Sequence, residues 1–232
     1  MFIKKKIKKR FINNKHQFNC VYKYVRNTAD EVDKKTAIKF CDYVIDILCK
    51  NIESNMQLNF INHNVDDFVL PFHENEYENE NPYSSFIWFP VSVTVKGKPI
   101  NIETDSMIDI DLAKCHLFCN TRKTNSLLKL LKYISDSGFY FDKDSHRAMY
   151  IEYLNVCTFV SDGVHSLSIA HHLKQGKITA KLVDITTIFP YVDTDGDYWY
   201  VNGDTYNEYL AEDYRFCLIY EIAKFKYGLE HE

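Results

Sequence analysis

A chain of 232 residues with 46% hydrophobic and 15% aromatic side chains has apolar surface for a substantial core, which excludes a disordered protein and fits one domain or one domain with an appendage. No run approaches about 18 consecutive apolar residues, so no transmembrane helix is expected, and the start, MFIKKKIKKRF, has charge without the hydrophobic run of a secretory signal. Charge is segregated: residues 1–26 hold nine Lys or Arg and no acid, so the other 206 residues carry 19 basic against 32 acidic groups and repel nucleic acid unless a local patch intervenes.

Residues 1–27 read as a basic arm in which Ile3, Ile7 and Phe11 recur every fourth residue under a lysine-covered face. Such a segment either lies on an anionic membrane or phosphates, or docks its apolar stripe on the acidic body. Residues 28–107 read as a helix and a small antiparallel sheet packed on the core. Thr28 precedes a helix whose Asp30 and Glu31 suit its positive end and whose Val32, Ile38, Cys41, Ile45 and Leu48 share one face. Residues 57–71 read as short extended pieces, the acidic run 66–80 as a solvated loop, and 85–96 as a strand. Lys96-Gly97-Lys98-Pro99 turns the chain into a returning strand over 99–103.

Residues 108–232 alternate between strand and helix. Leu117 and Phe118 end an extended piece, Asn120-Thr121-Arg122-Lys123 makes a polar turn, and Thr124 caps a helix carrying Leu127, Leu128, Leu131 and Ile134, with Gly138 just past its end. A strand-like region starts at Phe139. A β-branched and aromatic strand then runs from Tyr153 to Val160, Ser161-Asp162-Gly163 turns, a helix spans Val164 to Leu173, Gly176 stops it, and Ile178 to Ile185 alternates again. This βαβ pattern puts Asp-Gly-x-His-Ser at the carboxyl end of a strand, where open α/β sheets hold ligands. A hairpin turning at Asp195-Gly196 comes next, then a helical stripe of Tyr206, Tyr209, Leu210, Phe216, Cys217, Tyr220 and Ala223 closing at Gly228. The fold class is mixed α+β: a βαβ core, an amino-terminal helix-plus-hairpin extension and a long carboxyl-terminal helix.

The turn at Asp162-Gly163-Val164-His165-Ser166 is where chemistry is expected. A helix's first turn leaves backbone N–H groups unpaired at a positive dipole end, and Gly163 lets a ligand approach the backbone, which suits an anion. The same dipole favours a neutral His165. Asp162 as N-cap offers the opposite reading, in which its carboxylate occupies those amides itself. Asp142, Asp144 and His146 alternate, so on an extended strand they share one face, with Arg147 on the other. They either join Asp162 and His165 in a carboxylate and imidazole site or form an inert charged turn. His171 and His172 read as core or surface filling.

Seven Cys in an odd count with no CxxC pair fit free thiols in a reducing, cytoplasmic setting. Cys115-His116-x-x-Cys119 has no second ligand pair for zinc. Asp193, Asp195 and Asp197 have calcium-loop spacing with Asp204 in twelfth place, but Tyr198 stands where that loop needs Gly. The richness in Lys, Asn, Ile and Tyr is that of an AT-rich genome, as in a bacterium or its phage.

Three segments taken together, Asn120-x-Arg122-Lys123, the Leu127 to Gly138 helix, and Thr158 to Ser166, resemble the amino-terminal domain of ParB-type partition proteins and their sulfiredoxin relatives over about residues 108–187. The resemblance implies a ParB/sulfiredoxin-like domain that binds nucleotide phosphates between Arg122, Lys123 and the Gly163 to Ser166 turn. Ser166 stands where that superfamily has a phosphate-binding Arg, and Val164 where sulfiredoxins have their catalytic Cys, so sulfiredoxin chemistry is not implied. Two functions are open. One is binding of a phosphate-bearing ligand, a nucleotide with Mg²⁺, and in an enzyme its hydrolysis as a nucleotide or phosphoester by His165, Asp162 and His146. The other is a non-enzymatic interaction module that keeps the fold, using 17 Tyr and 16 Phe or the basic arm to grip a protein partner or a second copy. The sequence dictates no metal.

Overall fold

The computed structural model describes residues 2–62, 89–119, 127–143, 146–159, 163–211 and 213–232. Helix α1 (Phe2–Asp30) is unbroken, and its buried positions Phe18, Val25 and Ala29 recur at helical spacing. How the side chains of Ile3, Ile7 and Phe11 pack lies outside the described residues. Helix α2 (Lys34–Asn62) starts at Asp33, whose carboxylate accepts the Thr36 N–H at 3.1 Å and the Thr36 hydroxyl at 2.6 Å. The boundary therefore falls at Asp33 and not at Thr28. The stripe Ala37, Cys41, Ile45, Cys49, Ile52 and Met56 stays buried along α2, so the helix continues through 57–62 where extended pieces were expected. The acidic run at 66–80 lies outside the described residues.

Strands β1 (Ser92–Val95) and β2 (Lys98–Asn101) form the expected hairpin. Its turn residues Lys96 (φ 52°) and Gly97 (φ 70°) are both left-handed, as a two-residue turn matched to strand twist requires. The Asp204 carboxylate accepts both turn amides, each at 2.6 Å. Next in the chain are β3 (Glu103–Asp111), β4 (His116–Phe118), α3 (Leu127–Ser137), β5 (Ala148–Ile151), β6 (Val156–Phe159), α4 (Val164–His172), β7 (Lys177–Val183), β8 (Val192–Thr194), β9 (Tyr198–Asn202), β10 (Tyr206–Leu210) and α5 (Tyr214–His231). Gly138 (φ 82°) ends α3 as expected, donating its N–H to the Ile134 carbonyl at 2.9 Å. Two expectations are corrected. Residues 206–210 pair with β9 as a strand instead of opening the last helix, which starts where Asp213 accepts the Arg215 N–H at 2.8 Å and runs on through Gly228. Residues 139–143 form no strand.

The main sheet has the order β3-β7-β5-β6-β4. Strands β7 and β5 are parallel, as are β6 and β4, while β3–β7 and β5–β6 are antiparallel. The strand–helix–strand order read from residues 153–185 is present, but β5 sits between β6 and β7, which run in opposite directions. Side chains alternate across this sheet. Leu117, Ala148, Cys157, Ile178 and Ala180 face Leu167 and Ala170 of α4, and Phe118, Ile151, Val156 and Val183 join the larger core with α2 and α5. That core also takes Phe18 and Val25 of α1 and the buried Trp199, Tyr220 and Phe89. No helix of the described residues is long and apolar enough to cross a membrane. The architecture is mixed α+β, with α4 packed on one face of the main sheet and α2 and α5 on the other.

Candidate functional site

The first turn of α4 is capped by a residue without a side chain. Gly163 is the N-cap, at φ 91°, and its carbonyl accepts the Leu167 N–H at 3.1 Å and the Ser166 hydroxyl at 2.8 Å. A left-handed N-cap of this kind suits glycine, because a Cβ there would collide with the following carbonyl.

Beneath this turn lies His146, buried between Phe139 (ring centroids 5.4 Å apart) and Phe141 (5.8 Å). Its backbone N–H donates to the Asp142 carbonyl at 2.7 Å, and its Nδ1 accepts the Asp142 N–H at 2.9 Å. A ring nitrogen that accepts carries no proton, so the neutral ring holds its hydrogen on Nε2 and donates it to Ser166 Oγ, 2.9 Å away. The chain of donors runs from Asp142 N–H through His146 and Ser166 to the Gly163 carbonyl. Burial pushes the His146 pKa below the ordinary imidazole value, and Asp142 opposes this only in part. The ring is thus a neutral donor to Ser166, the reverse of the general base that a nucleophilic serine needs.

The sequence clusters do meet, through Ser166. His146 bonds back to Asp142 through its N–H and its Nδ1 instead of lying on an extended strand, and it is buried while Arg147 is exposed. His165 is half-buried on α4 next to Gly163. Arg122, Lys123, Asp144 and Asp162 lie outside the described residues.

The other end of α4 carries a constellation that pattern reading missed. His171, in the last turn, is buried; its Nδ1 donates to the Leu112 carbonyl at 2.6 Å, and its Nε2 is in close contact with Glu53 Oε1. Glu53, from α2, also accepts the Leu117 N–H at 3.2 Å and approaches His116 Nδ1 at 3.7 Å, while His116 Nε2 lies 3.2 Å from Asp46 Oδ1. Burial alone pushes the Glu53 carboxyl up, but the hydrogen bonds from His116 and His171 override it and hold the carboxyl at about 2. Burial lowers the His171 pKa, and the bond and charge of Glu53 more than reverse this, so it ends above its ordinary value. A helix's negative end favours the same cationic form. The two imidazoles are therefore pushed in opposite directions, His146 toward the neutral form near the positive end of α4 and His171 toward the cationic form at its negative end. The signal in the sequence was Glu53 itself, an acid four residues after Cys49 on an otherwise apolar stripe.

The acidic hairpin is engaged in structural contacts. Asp195 Oδ1 accepts the N–H groups of Asp197 and Tyr198, each at 3.0 Å, its Oδ2 accepts the Tyr200 hydroxyl at 2.9 Å and pairs with Lys15, and Asp193 pairs with Lys224 at 2.5 Å. Among the described residues no three His, Cys, Asp or Glu side chains are placed to hold a metal ion.

Residues 3–232 match a family of unknown function, DUF6710. The chain belongs to this family. No curated protein and no solved structure matches it. Membership of DUF6710 brings no activity with it, so the functional reading rests on the two ends of α4.

Proposed function

We propose that the chain binds a phosphate-bearing ligand, a nucleotide, at the first turn of α4. The observation that carries this reading is the Gly163 N-cap at φ 91°, held from below by the His146–Ser166 donor chain, at a helix end where backbone N–H groups and the dipole favour an anion. A neutral His146 adds no charge of its own to the site. The resemblance of residues 108–187 to ParB and sulfiredoxin domains supports the same ligand class and adds Arg122 and Lys123 as phosphate partners, with Mg²⁺ accompanying the nucleotide. Ser166 spends its hydroxyl hydrogen on the Gly163 carbonyl, so it orders the turn and does not attack the ligand. If hydrolysis accompanies binding, the base is His165, with Asp162 as its proposed partner, and not His146. Seven cysteines without a disulfide fit a reducing, cytoplasmic setting.

The test is equilibrium binding of ATP, CTP and GTP with and without Mg²⁺ to the wild type and to Arg122→Ala. Saturable binding of one of them, weakened tenfold or more by the substitution, is expected; no saturable binding to any of them refutes the reading.

A second reading, an interaction module without catalysis, is favoured by one observation: Leu128 and Tyr140 are 77% and 78% exposed, with Tyr133 at 58% on the same helix as Leu128. It predicts a stable complex, seen by light scattering after size-exclusion chromatography, that Tyr140→Ser weakens and His165→Ala leaves intact.

A further inference from the structure

The contact between Glu53 and His171 requires a proton. His171 Nδ1 faces the Leu112 carbonyl at 2.6 Å, an atom that only accepts, so Nδ1 is protonated. Its Nε2 faces a carboxylate oxygen that also only accepts when ionised. Without a second proton, a lone pair and a buried carboxylate would point at each other in a site where both side chains are largely shielded from water (5% and 12% exposed).

We propose that this proton is a latch: it fastens the carboxyl end of α4 to α2, and its loss at alkaline pH releases that end of the helix. The surrounding charges make the loss costly. From α2, Asp46 adds a second carboxylate reached through His116 of β4. Just before β4, the Cys115 thiol, hydrogen-bonded with Cys157 of β6, is close enough to feel the His171 charge. Lys174, just after α4, acts the other way and disfavours the imidazolium. Once Glu53 and His171 repel, the elements held by this contact separate: the Leu112 carbonyl, the Leu117 amide and the last turn of α4.

Three amides report on that turn: Leu173 N–H to Ile169 O at 2.9 Å, Lys174 N–H to His171 O at 3.0 Å and Gln175 N–H to Ala170 O at 2.8 Å. The experiment follows the His171 ring by NMR and the exchange protection of these amides across pH, in the wild type and in Glu53→Gln. Leu117 N–H and His171 Nε2 both face the Oε1 position; in the variant a carboxamide NH2 placed there donates to a neutral His171 Nε2 and gives up the Leu117 bond, so the contact to α4 survives without the proton. In the wild type, His171 stays charged beyond the ordinary imidazole range, and protection falls about tenfold per pH unit between that range and its midpoint, where the closed turn holds a proton that the opened one has lost, and levels off above it. In Glu53→Gln the ring is neutral at neutral pH and that dependence is gone, while His172→Ala, one residue on and exposed, leaves it unchanged. A wild-type His171 that titrates in the ordinary range, protection that does not fall between that range and its midpoint, or the same pH dependence in Glu53→Gln overturns the proposal. The wild-type titration decides even if the variant fails to fold.

Discussion

Glu221 gives the sharpest quantitative prediction. It lies in the middle of α5 and is only 8% exposed, and its Oε1 accepts the Thr194 N–H at 3.1 Å. The nearby cation Lys224 is already bonded to Asp193 at 2.5 Å and to the Val192 carbonyl at 2.9 Å. Burial pushes the Glu221 carboxyl from its ordinary 4.5 up to about 7, opposed in part by Lys224. A rise of that size corresponds to roughly 3 kcal/mol between the two protonation states. The folded pKa of this acid is raised, so the fold favours the neutral form. The penalty is absent below the unfolded value of 4.5, grows as pH rises, and is complete above about 7. Glu221→Gln keeps an oxygen for Thr194 and cannot ionise. Urea unfolding of both proteins between about pH 5 and 8, with unchanged slopes, should show the variant gaining on the wild type as pH rises, to about 3 kcal/mol. A variant that is no more stable at pH 8, or a difference that does not vary with pH, refutes the reasoning.

Other substitutions test the packing that positions α4 and the helices around it. Gly196 sits at φ 90°, and a Cβ there would lie 2.5 Å from Phe18 Cβ. Gly196→Ala should therefore cost about 1–3 kcal/mol in thermal unfolding through backbone strain and displacement of α1; a neutral result would mean that α1 does not press on this hairpin. Asp213 caps α5 and holds the buried Arg215 guanidinium, which also donates to Asn51 Oδ1 at 2.5 Å. Asp213→Ala leaves that cation without its carboxylate and should cost about 3–5 kcal/mol in denaturant unfolding, whereas a loss under about 1 kcal/mol contradicts the pairing. Ser166→Ala removes the acceptor of His146 Nε2–H and should cost about 1–3 kcal/mol, with a changed His146 ring signal in NMR; an unchanged ring signal would deny the donor chain.

Much of the architecture was legible because it rests on short-range periodicity. The Lys96-Gly97 turn, the Gly138 and Gly176 stops, the Asp195-Gly196 hairpin and the start of α4 all come from glycine at positions of positive φ. What escaped depended on pairing between distant segments. Residues 206–210 have aromatic spacing that suits a helix as well as an edge strand, and only β9 decides between them. Strand order is of the same kind, since nothing local in β6 and β7 reveals that β5 lies between them. At the site, Gly163, His146 and Ser166 could be named from the sequence, but the direction of the His146 proton is set by a backbone amide four residues earlier, from Asp142. The Glu53–His171 contact joins side chains on α2 and α4, and sequence spacing carries no information about it.

The most direct measurement of the central claim is an NMR titration of the backbone amides with ATP and with pyrophosphate. The account predicts saturable shifts at Gly163, Val164 and His165, together with a response of the His146 ring beneath them. Shifts confined to the basic amino-terminal arm, or none at the first turn of α4, would contradict it.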